Sequence, residues 1–243
     1  MKILAYNTIN YQPMNRDYSF TGGIRRDCYG NLYSDNTVGK PAFQAGNELI
    51  DRFSRATVGE PVTNEALKDM QINSFKYIGN GCYKGGMVSA TDYIEQLREN
   101  GIKRFIMLCT PKECNAIQEC AKYDVPIDNV YIPVQDIETI EQARDFKSKF
   151  TSSKFARVIK RLREGDCFVG CESGNIRTKR FLAITQILDP ECKLNLKGLT
   201  PNVGDYTCAK IIYNYLSKES KQLLNYTPEF EAKLLETFKR ILR

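Results

Sequence analysis

Apolar residues are irregularly placed up to about residue 70 of this chain and regularly placed after it. Residues 1–69 are rich in Tyr, Asn, Gly and Arg, and predict one helix, at residues 48–55. Beyond residue 70, short apolar runs alternate with stretches in which apolar residues recur every three or four positions. The first pattern is typical of buried strands and the second of amphipathic helices. We therefore predict an N-terminal extension of unknown role, residues 1–69, packed on a domain formed by residues 70–243.

The regular part predicts an ordered series of elements. A Gly-Asn-Gly turn separates two short strands in NSFKYIGNGCYKGG. Ser89 is placed to cap the helix in SATDYIEQLRENG, which Gly101 ends. The further predicted elements are strand KRFIMLCT, a helix over 111–122, strand NVYIPV, a helical stretch to 163 broken at 151–153, strand CFVG, helix RTKRFLAITQIL, and helices near 205–216 and 228–242. Strands alternating with helices predict an α/β fold with a central, mostly parallel sheet flanked by helices.

The amino-acid composition limits the kinds of catalytic and metal sites that the chain can form. The 243 residues carry 35 Lys and Arg against 29 Asp and Glu, and this net charge of +6 mildly favours anionic partners. The chain has no histidine, which excludes Ser-His-Asp and Cys-His hydrolases and any metal site that needs imidazole. Nine irregularly spaced cysteines do not predict a zinc site. They favour free thiols in a reducing, cytoplasmic compartment, either of the protein's own cell or of a host cell into which it is delivered. No apolar run approaches the ~20 residues of a membrane span.

The segment GDCFVGCESGNIRTKRF, residues 165–181, places a cysteine, a glycine and an arginine at intervals of three after a short apolar run. Between a strand and a helix, the backbone N–H groups of such a loop attract an anion. The guanidinium of Arg177 can bind two phosphate oxygens, and the same field favours the thiolate form of Cys171. Gly174 permits the turn, and the hydroxyl of Thr178 can reach the sulfur. The pattern predicts a thiolate aimed at phosphorus.

CESGNIRT resembles the C-x5-R-[S/T] signature of the cysteine-dependent protein tyrosine phosphatase superfamily, and its surroundings resemble the dual-specificity branch. IGNGCYKGGMVSATDYIEQLRENGIKRFIMLC is similar to the opening of that branch, and NVYIPVQD to the strand that delivers the general acid. The resemblance covers about residues 70 to 243. It implies a phosphatase P-loop between strand CFVG and the next helix, and no metal or cofactor. The catalytic residues that it implies are Cys171, Asp136, Arg177 and Thr178, and the phosphate-binding residues are Glu172, Ser173, Gly174, Asn175, Ile176 and Arg177.

Gly170 departs from that family's pattern, which usually has histidine before the cysteine. The missing imidazole is expected to leave the thiolate of Cys171 less favoured and the loop less rigid. A pseudophosphatase that binds phosphate without cleaving it therefore stays open, as does a plain buried thiol at Cys171. Asp136 is also of a type that caps helices, here before IETIEQ, and Glu138 is the alternative general acid.

The loop has no lysine between Cys171 and Arg177, which favours a phosphate monoester on protein. Phosphotyrosine, with phosphoserine or phosphothreonine as an extension, is thus preferred to a phosphoinositide or inositol phosphate. The basic pair Lys179 and Arg180 is typical of a solvated helix face. The sequence shows no combined aromatic and basic surface of the kind that binds nucleic acid. A nucleic-acid 5′-triphosphatase is nevertheless compatible with the predicted fold. The expected partner is a phosphorylated protein.

Cys109 is a candidate redox partner. It ends the predicted strand FIMLC, beside the strand that carries Cys171, so both thiols are expected at one sheet edge. An oxidised Cys171 could then be captured as a disulfide. The simpler alternative is that Cys109 is a small core residue.

Overall fold

The computed structural model describes residues 24–26, 32–34, 58–108 and 116–242. The chain divides into two compact units, Met1–Phe53 and Ser54–Arg243. In the first unit the described part is an antiparallel ribbon of β1 (Ile24–Arg26) and β2 (Leu32–Ser34). The helix predicted at 48–55 lies outside the described residues. The boundary at residue 70 and the role of residues 1–69 stay predictions.

The second unit is built on a five-stranded sheet with strand order β3-β4-β7-β5-β6. The strands are β3 (Lys76–Tyr77), β4 (Tyr83–Gly86), β5 (Arg104–Met107), β6 (Ile127–Asn129) and β7 (Cys167–Cys171). All neighbours pair in parallel except β3 and β4. Every residue of β7 is buried, as expected for a central strand covered on both faces. The predicted mixed α/β class with a mostly parallel sheet is confirmed.

Helices cover both faces of the sheet. One apolar cluster joins Val169 and Ile106 to the helices that follow residue 140, and a second joins Phe105 and Phe168 to those between residues 87 and 122. The described helices are α1 (Met87–Ala90), α2 (Ile94–Glu99), α3 (Ala116–Lys122), α4 (Ile140–Lys149), α5 (Ser152–Glu164), α6 (Ile176–Leu188), α7 (Val203–Tyr215), α8 (Lys218–Leu223) and α9 (Pro228–Ile241). None of those described is long and apolar enough to cross a membrane.

Several predicted elements are confirmed. The two strands around the Gly-Asn-Gly turn form the antiparallel pair β3–β4, and all three turn residues have positive φ. The long helical stretch is broken between α4 and α5, and one apolar face of α5 is buried. The residues of that face are Phe155, Val158, Ile159 and Leu162.

Two local predictions are wrong, and one helix was not predicted. Ser89 lies within α1 rather than at its start, and its hydroxyl accepts from the N–H of Asn73 and donates to the carbonyl of Gly86. Residues 130–134 of NVYIPV are not a strand, because the edge strand β6 ends at Asn129, whose β5 partner Met107 is the last residue of β5. The short helix α8 carries too few apolar residues to show the helical period.

Candidate active site

The central strand β7 ends at Cys171, and helix α6 begins only five residues later. We call residues 171–177 the cysteine loop. The N-cap residue of α6, Asn175, makes no side-chain capping hydrogen bond, and the first turn of α6 contains no acidic residue. The side chain of Asn175 therefore does not cap the first N–H groups of this helix, which lie at the end where the helix dipole is positive.

Cys171 and Thr178 are joined by two hydrogen bonds. The hydroxyl of Thr178 donates to Sγ of Cys171 at 3.2 Å and accepts from the backbone N–H of Cys171 at 3.0 Å. Thr178 is fully buried, and Cys171 is 3% exposed. A hydroxyl fixed in this way stabilises negative charge on the sulfur.

The cysteine loop rests directly on the glycines that end β4. Gly174 has φ +74°, and a Cβ there would overlap the backbone of Gly85 and Gly86. A Cβ on Gly86 would in turn lie 3.1 Å from the carbonyl oxygen of Glu172. That carbonyl accepts a hydrogen bond from the N–H of Val88 at 3.4 Å. Only glycine allows the loop to approach β4 this closely.

Gly170 stands where the resembled family usually has histidine, and its surroundings leave no space for a side chain. A Cβ at this position would lie 2.6 Å from the carbonyl oxygen of Gly85 and 2.6 Å from Cγ of Met87. The backbone of β4 would have to move before any larger residue could be accommodated. In this chain the cysteine loop is built without an imidazole at position 170.

A buried lysine lies beneath the cysteine loop, and the sequence did not predict it. Lys84 is 1% exposed, and its Nζ donates to the carbonyl oxygens of Ser74 at 3.1 Å and Gly174 at 3.5 Å. In the parallel register of β4 and β7, Lys84 pairs with Val169 and Gly86 with Cys171. Because side chains alternate along a strand, Lys84 and Cys171 lie on the same face of the sheet.

The electrostatics around Lys84 are unusual for a lysine. The pKa of Lys84 is lowered from 10.5 to about 8; burial is the main cause, repulsion from Lys179 and Lys76 adds to it, and attraction by Cys171 opposes it. Burial also lowers the pKa of Lys179, which is half-buried in α6. Two lysines whose charged forms are disfavoured therefore lie beside the cysteine loop, and an anion bound there would favour both charges.

The other predicted phosphate-binding residues surround these groups. Arg177 lies half-buried in the first turn of α6. Ser173 is exposed, and Glu172, Asn175 and Ile176 are half-buried. The structure thus brings Cys171 and the hydroxyl of Thr178 together at one end of the sheet, with Arg177 in the first turn of the helix that begins there. With backbone amides and positive charge around it, the loop can hold an anion against the sulfur.

Asp136 is held by Arg180, one helical turn after Arg177. The guanidinium of Arg180 is ion-paired with the carboxylate of Asp136. It also donates to the carbonyl oxygens of Pro133, Val134 and Gln135 at 3.0, 3.0 and 2.7 Å. The side chain of Arg180 is only 10% exposed, so the prediction that it belongs to a solvated face is wrong. This one side chain fastens the segment 133–136 to α6.

The alternative in which Asp136 caps helix α4 is also wrong. The N-cap residue is Thr139, which forms a reciprocal capping box with Gln142. The backbone N–H of the alternative acid, Glu138, donates to the same glutamine side chain at 2.7 Å.

Helix α7 closes the other side of Asp136. A Cβ on Gly204 would overlap the Asp136 carboxylate, so a larger residue there would displace that side chain. The neighbouring Asp205 is buried, and Nε of Arg180 lies 3.7 Å from its Oδ1. Burial raises the pKa of Asp205, and its N–H⋯O bond from Asn202 and the charge of Arg180 oppose that rise. No sequence pattern indicates this cluster, because α6 and α7 are brought together only by the fold.

A surface groove of about 470 Å³ opens beside Asp136, but it is not where the loop chemistry lies. Its lining comes from the segment 131–137 and from α4, and includes Glu141 and Asp145 but no residue of the cysteine loop. Cys109 lies outside the described residues, so its pairing with Cys171 stays a prediction. Among the described residues no group of three or more His, Cys, Asp or Glu side chains could hold a metal ion.

No protein-family model matches this chain, and no curated protein matches it either.

Proposed function

We propose that this protein is a cysteine-dependent phosphatase that hydrolyses phosphate monoesters through a cysteinyl-phosphate intermediate. The observation that carries the proposal is the hydrogen-bonded pair of Cys171 and Thr178 beside the uncapped N-terminus of α6, with Arg177 in its first turn. A plain buried thiol would not require the hydroxyl that donates to the sulfur or an arginine in the first turn of the helix that follows.

In the first step the thiolate of Cys171 attacks phosphorus. A sulfur–phosphorus bond forms, the bond from phosphorus to the leaving oxygen breaks, and that oxygen takes a proton from Asp136. Arg177 and the N–H groups of the cysteine loop stabilise the negative charge on the phosphoryl oxygens. The product alcohol or phenol leaves, and the phosphoryl group stays on the sulfur.

In the second step water attacks the phosphorus of the intermediate. Asp136, now ionised, accepts a proton from the water, the sulfur–phosphorus bond breaks, and the thiolate is regenerated with release of inorganic phosphate. The Thr178 hydroxyl supports the sulfur as it leaves, because it already donates to Sγ. Arg180, which is ion-paired with Asp136, holds this carboxylate in place for both steps.

A phosphate monoester on protein is the proposed substrate, with phosphotyrosine first and phosphoserine or phosphothreonine second. Between Cys171 and Arg177 the loop carries a carboxylate, Glu172, and no lysine, which disfavours the several phosphates of an inositol headgroup. The buried Lys84 cannot contact a bulky headgroup. The half-buried Lys179 is the observation that favours the second candidate, a phosphoinositide or inositol phosphate.

The proposed function is tested by hydrolysis of an aryl phosphate, with Cys171→Ser as the control. Phosphotyrosine, phosphoserine and phosphothreonine peptides and a phosphoinositide series then identify the substrate class. We expect turnover of the aryl phosphate and of phosphotyrosine peptides, and none by Cys171→Ser. Binding of tungstate or of a phosphopeptide without turnover would instead identify a phosphate-binding pseudophosphatase. Turnover by Cys171→Ser close to that of the wild type would overturn the cysteine mechanism.

A further inference from the structure

The burial of Lys84 in this sheet is energetically unfavourable. Burying an ammonium group costs free energy unless a charge compensates it, and strand interiors normally hold apolar residues. Its two hydrogen-bond partners, the carbonyls of Ser74 and Gly174, are neutral, so each offsets only part of that cost. An apolar residue at position 84 would make the folded protein more stable. Its presence calls for an explanation outside stability.

The two partners of Lys84 show what its position achieves. Gly174 is the glycine of the cysteine loop, with φ +74°, and Ser74 is a non-glycine residue that also has positive φ, 56°. One ammonium group thus ties the loop to the turn that precedes β3, from inside the sheet. The bond runs to a carbonyl of the loop and uses none of the N–H groups of the loop.

We propose that Lys84 is the positioning residue of the cysteine loop: from beneath, it fixes the backbone at Gly174 and supplies the positive charge that favours the thiolate of Cys171. The inference deepens the proposed phosphatase function and rests on it. We assign Lys84 a positioning role and not a catalytic one, because its Nζ donates to the backbone carbonyls of Ser74 and Gly174. It acts on the sulfur through charge and on the loop through one hydrogen bond.

Charge interaction between Lys84 and Cys171 is mutual. The negative charge of Cys171 favours the ammonium form of Lys84, and by reciprocity the ammonium favours the negative form of the sulfur. Two cations, Lys76 on β3 and Lys179 on α6, also act on Lys84, and both disfavour its charged form. Gly170 leaves no space for an imidazole next to Cys171. The buried Lys84 supplies a cation near the cysteine loop instead.

The test is the pH profile of Cys171 alkylation in the full chain. Iodoacetamide is applied from pH 5 to pH 9, and peptide mass spectrometry follows Cys171 separately from the other cysteines. The variants are Lys84→Met, which removes charge and donor, and Lys84→Gln, which removes the charge but keeps a donor. Lys76→Met is the matched control, because Lys76 pairs with Lys84 across β3 and β4 yet is only half-buried.

We expect the alkylation midpoint to move up by about one pH unit in both Lys84 variants, so that the rate near pH 6 falls about tenfold. Lys76→Met should stay within about twofold of the wild type, since it lies one strand further from the sulfur. Profiles of Lys84→Met and Lys84→Gln that coincide with the wild type would overturn the inference. Circular dichroism establishes that each variant is folded, and Lys84→Gln carries the test if Lys84→Met is not.

Failure of this inference is distinguishable from failure of the proposed function. Alkylation reports the charge state of Cys171 whether or not the protein hydrolyses phosphate esters. A wild-type protein that hydrolyses aryl phosphate, with Lys84 variants that match it in alkylation and in kcat, would leave a phosphatase in which Lys84 is merely structural. A wild-type protein without turnover would remove the phosphatase proposal, and the inference that rests on it, whatever the alkylation profiles are.

Discussion

Arg180 is ion-paired with Asp136, and this pair links the two halves of the proposed chemistry. Arg180 belongs to α6, the helix that begins at the end of the cysteine loop, whereas Asp136 follows the segment after β6. The same guanidinium holds three successive carbonyls of that segment. Because Arg180 holds both the carboxylate of Asp136 and the carbonyls before it, this one side chain fixes the position of the proposed acid.

Asp136→Asn tests whether this carboxylate is the general acid. We expect kcat to fall by about 10²–10⁴ for alkyl phosphates, whose leaving oxygen needs a proton, and far less for aryl phosphates with acidic phenols. Glu141→Gln is the matched control, because it neutralises another carboxylate of the same region. If kcat fell equally for alkyl and aryl phosphates, Asp136 would only anchor its segment to Arg180. Glu138 would then be the next candidate for the general acid.

Thr178→Val tests the hydroxyl that contacts the sulfur. The valine leaves the N–H of Cys171 without its acceptor and removes the donor to Sγ, and a hydrogen bond to a charged group is worth about 1.5–3 kcal/mol. We expect slower breakdown of the intermediate, with kcat about tenfold to a hundredfold lower, and a rapid burst of phenol before the steady state. Thr178→Ser should retain most of the activity. A valine variant with wild-type kcat and no burst would exclude this role.

Gly174→Ala tests the close approach of the cysteine loop to β4. Gly174 and Gly101 both have positive φ, 74° and 94°, but only Gly174 has backbone within contact distance of an added Cβ. Gly101→Ala should therefore lower the free energy of unfolding by about 1–2 kcal/mol, the cost of the left-handed conformation. Gly174→Ala should lower it by more than about 3 kcal/mol and abolish phosphate binding. Urea titration measures both, and similar losses would mean that the loop does not rest on β4.

Lys84 predicts a distinctive dependence of stability on pH. Its pKa is about 8 in the folded protein and 10.5 in the unfolded chain, so the unfolded state binds the proton more tightly. The cost of the buried charge is full below pH 8 and disappears as the pH rises toward 10.5. Relative to Lys84→Met, the wild type should gain about 3 kcal/mol of unfolding free energy between these limits. Urea unfolding of both proteins at pH 7 and pH 10.5 measures the difference, and an unchanged difference would contradict the buried charge.

The parts of the fold that follow from local sequence were predictable. The strand ending at Cys171 and the helix α6 have strong patterns, since β7 is uniformly apolar and α6 is long. The edge strand β6 was misplaced, because Val130 and Ile132 are buried in the apolar core although they follow the end of the strand, and the N–H of Val130 still donates to the carbonyl of Met107. Apolar residues in a sequence indicate which positions are buried. In a strand of three residues, burial does not show which backbone groups form hydrogen bonds with the neighbouring strand.

The candidate site divides in the same way. Cys171, Arg177 and Thr178 could be selected from one continuous segment, because chain connectivity alone keeps them together. Lys84 and Arg180 could not be selected, since a lysine or arginine in a sequence normally indicates an exposed position. What buries them is contact between segments about 90 and 45 residues apart in the chain, at Gly174 and at Pro133–Gln135, which no local pattern records.

The central claim is that Cys171 accepts the phosphoryl group, and its most direct test is to trap that intermediate. Wild-type protein is mixed with an aryl phosphate, quenched in acid within milliseconds, digested and examined by mass spectrometry. We expect one phosphoryl group on the peptide that contains Cys171. It should form at the rate of phenol release and be absent from Cys171→Ser. Phenol release without phosphorylation of Cys171, or at the wild-type rate in Cys171→Ser, would contradict it.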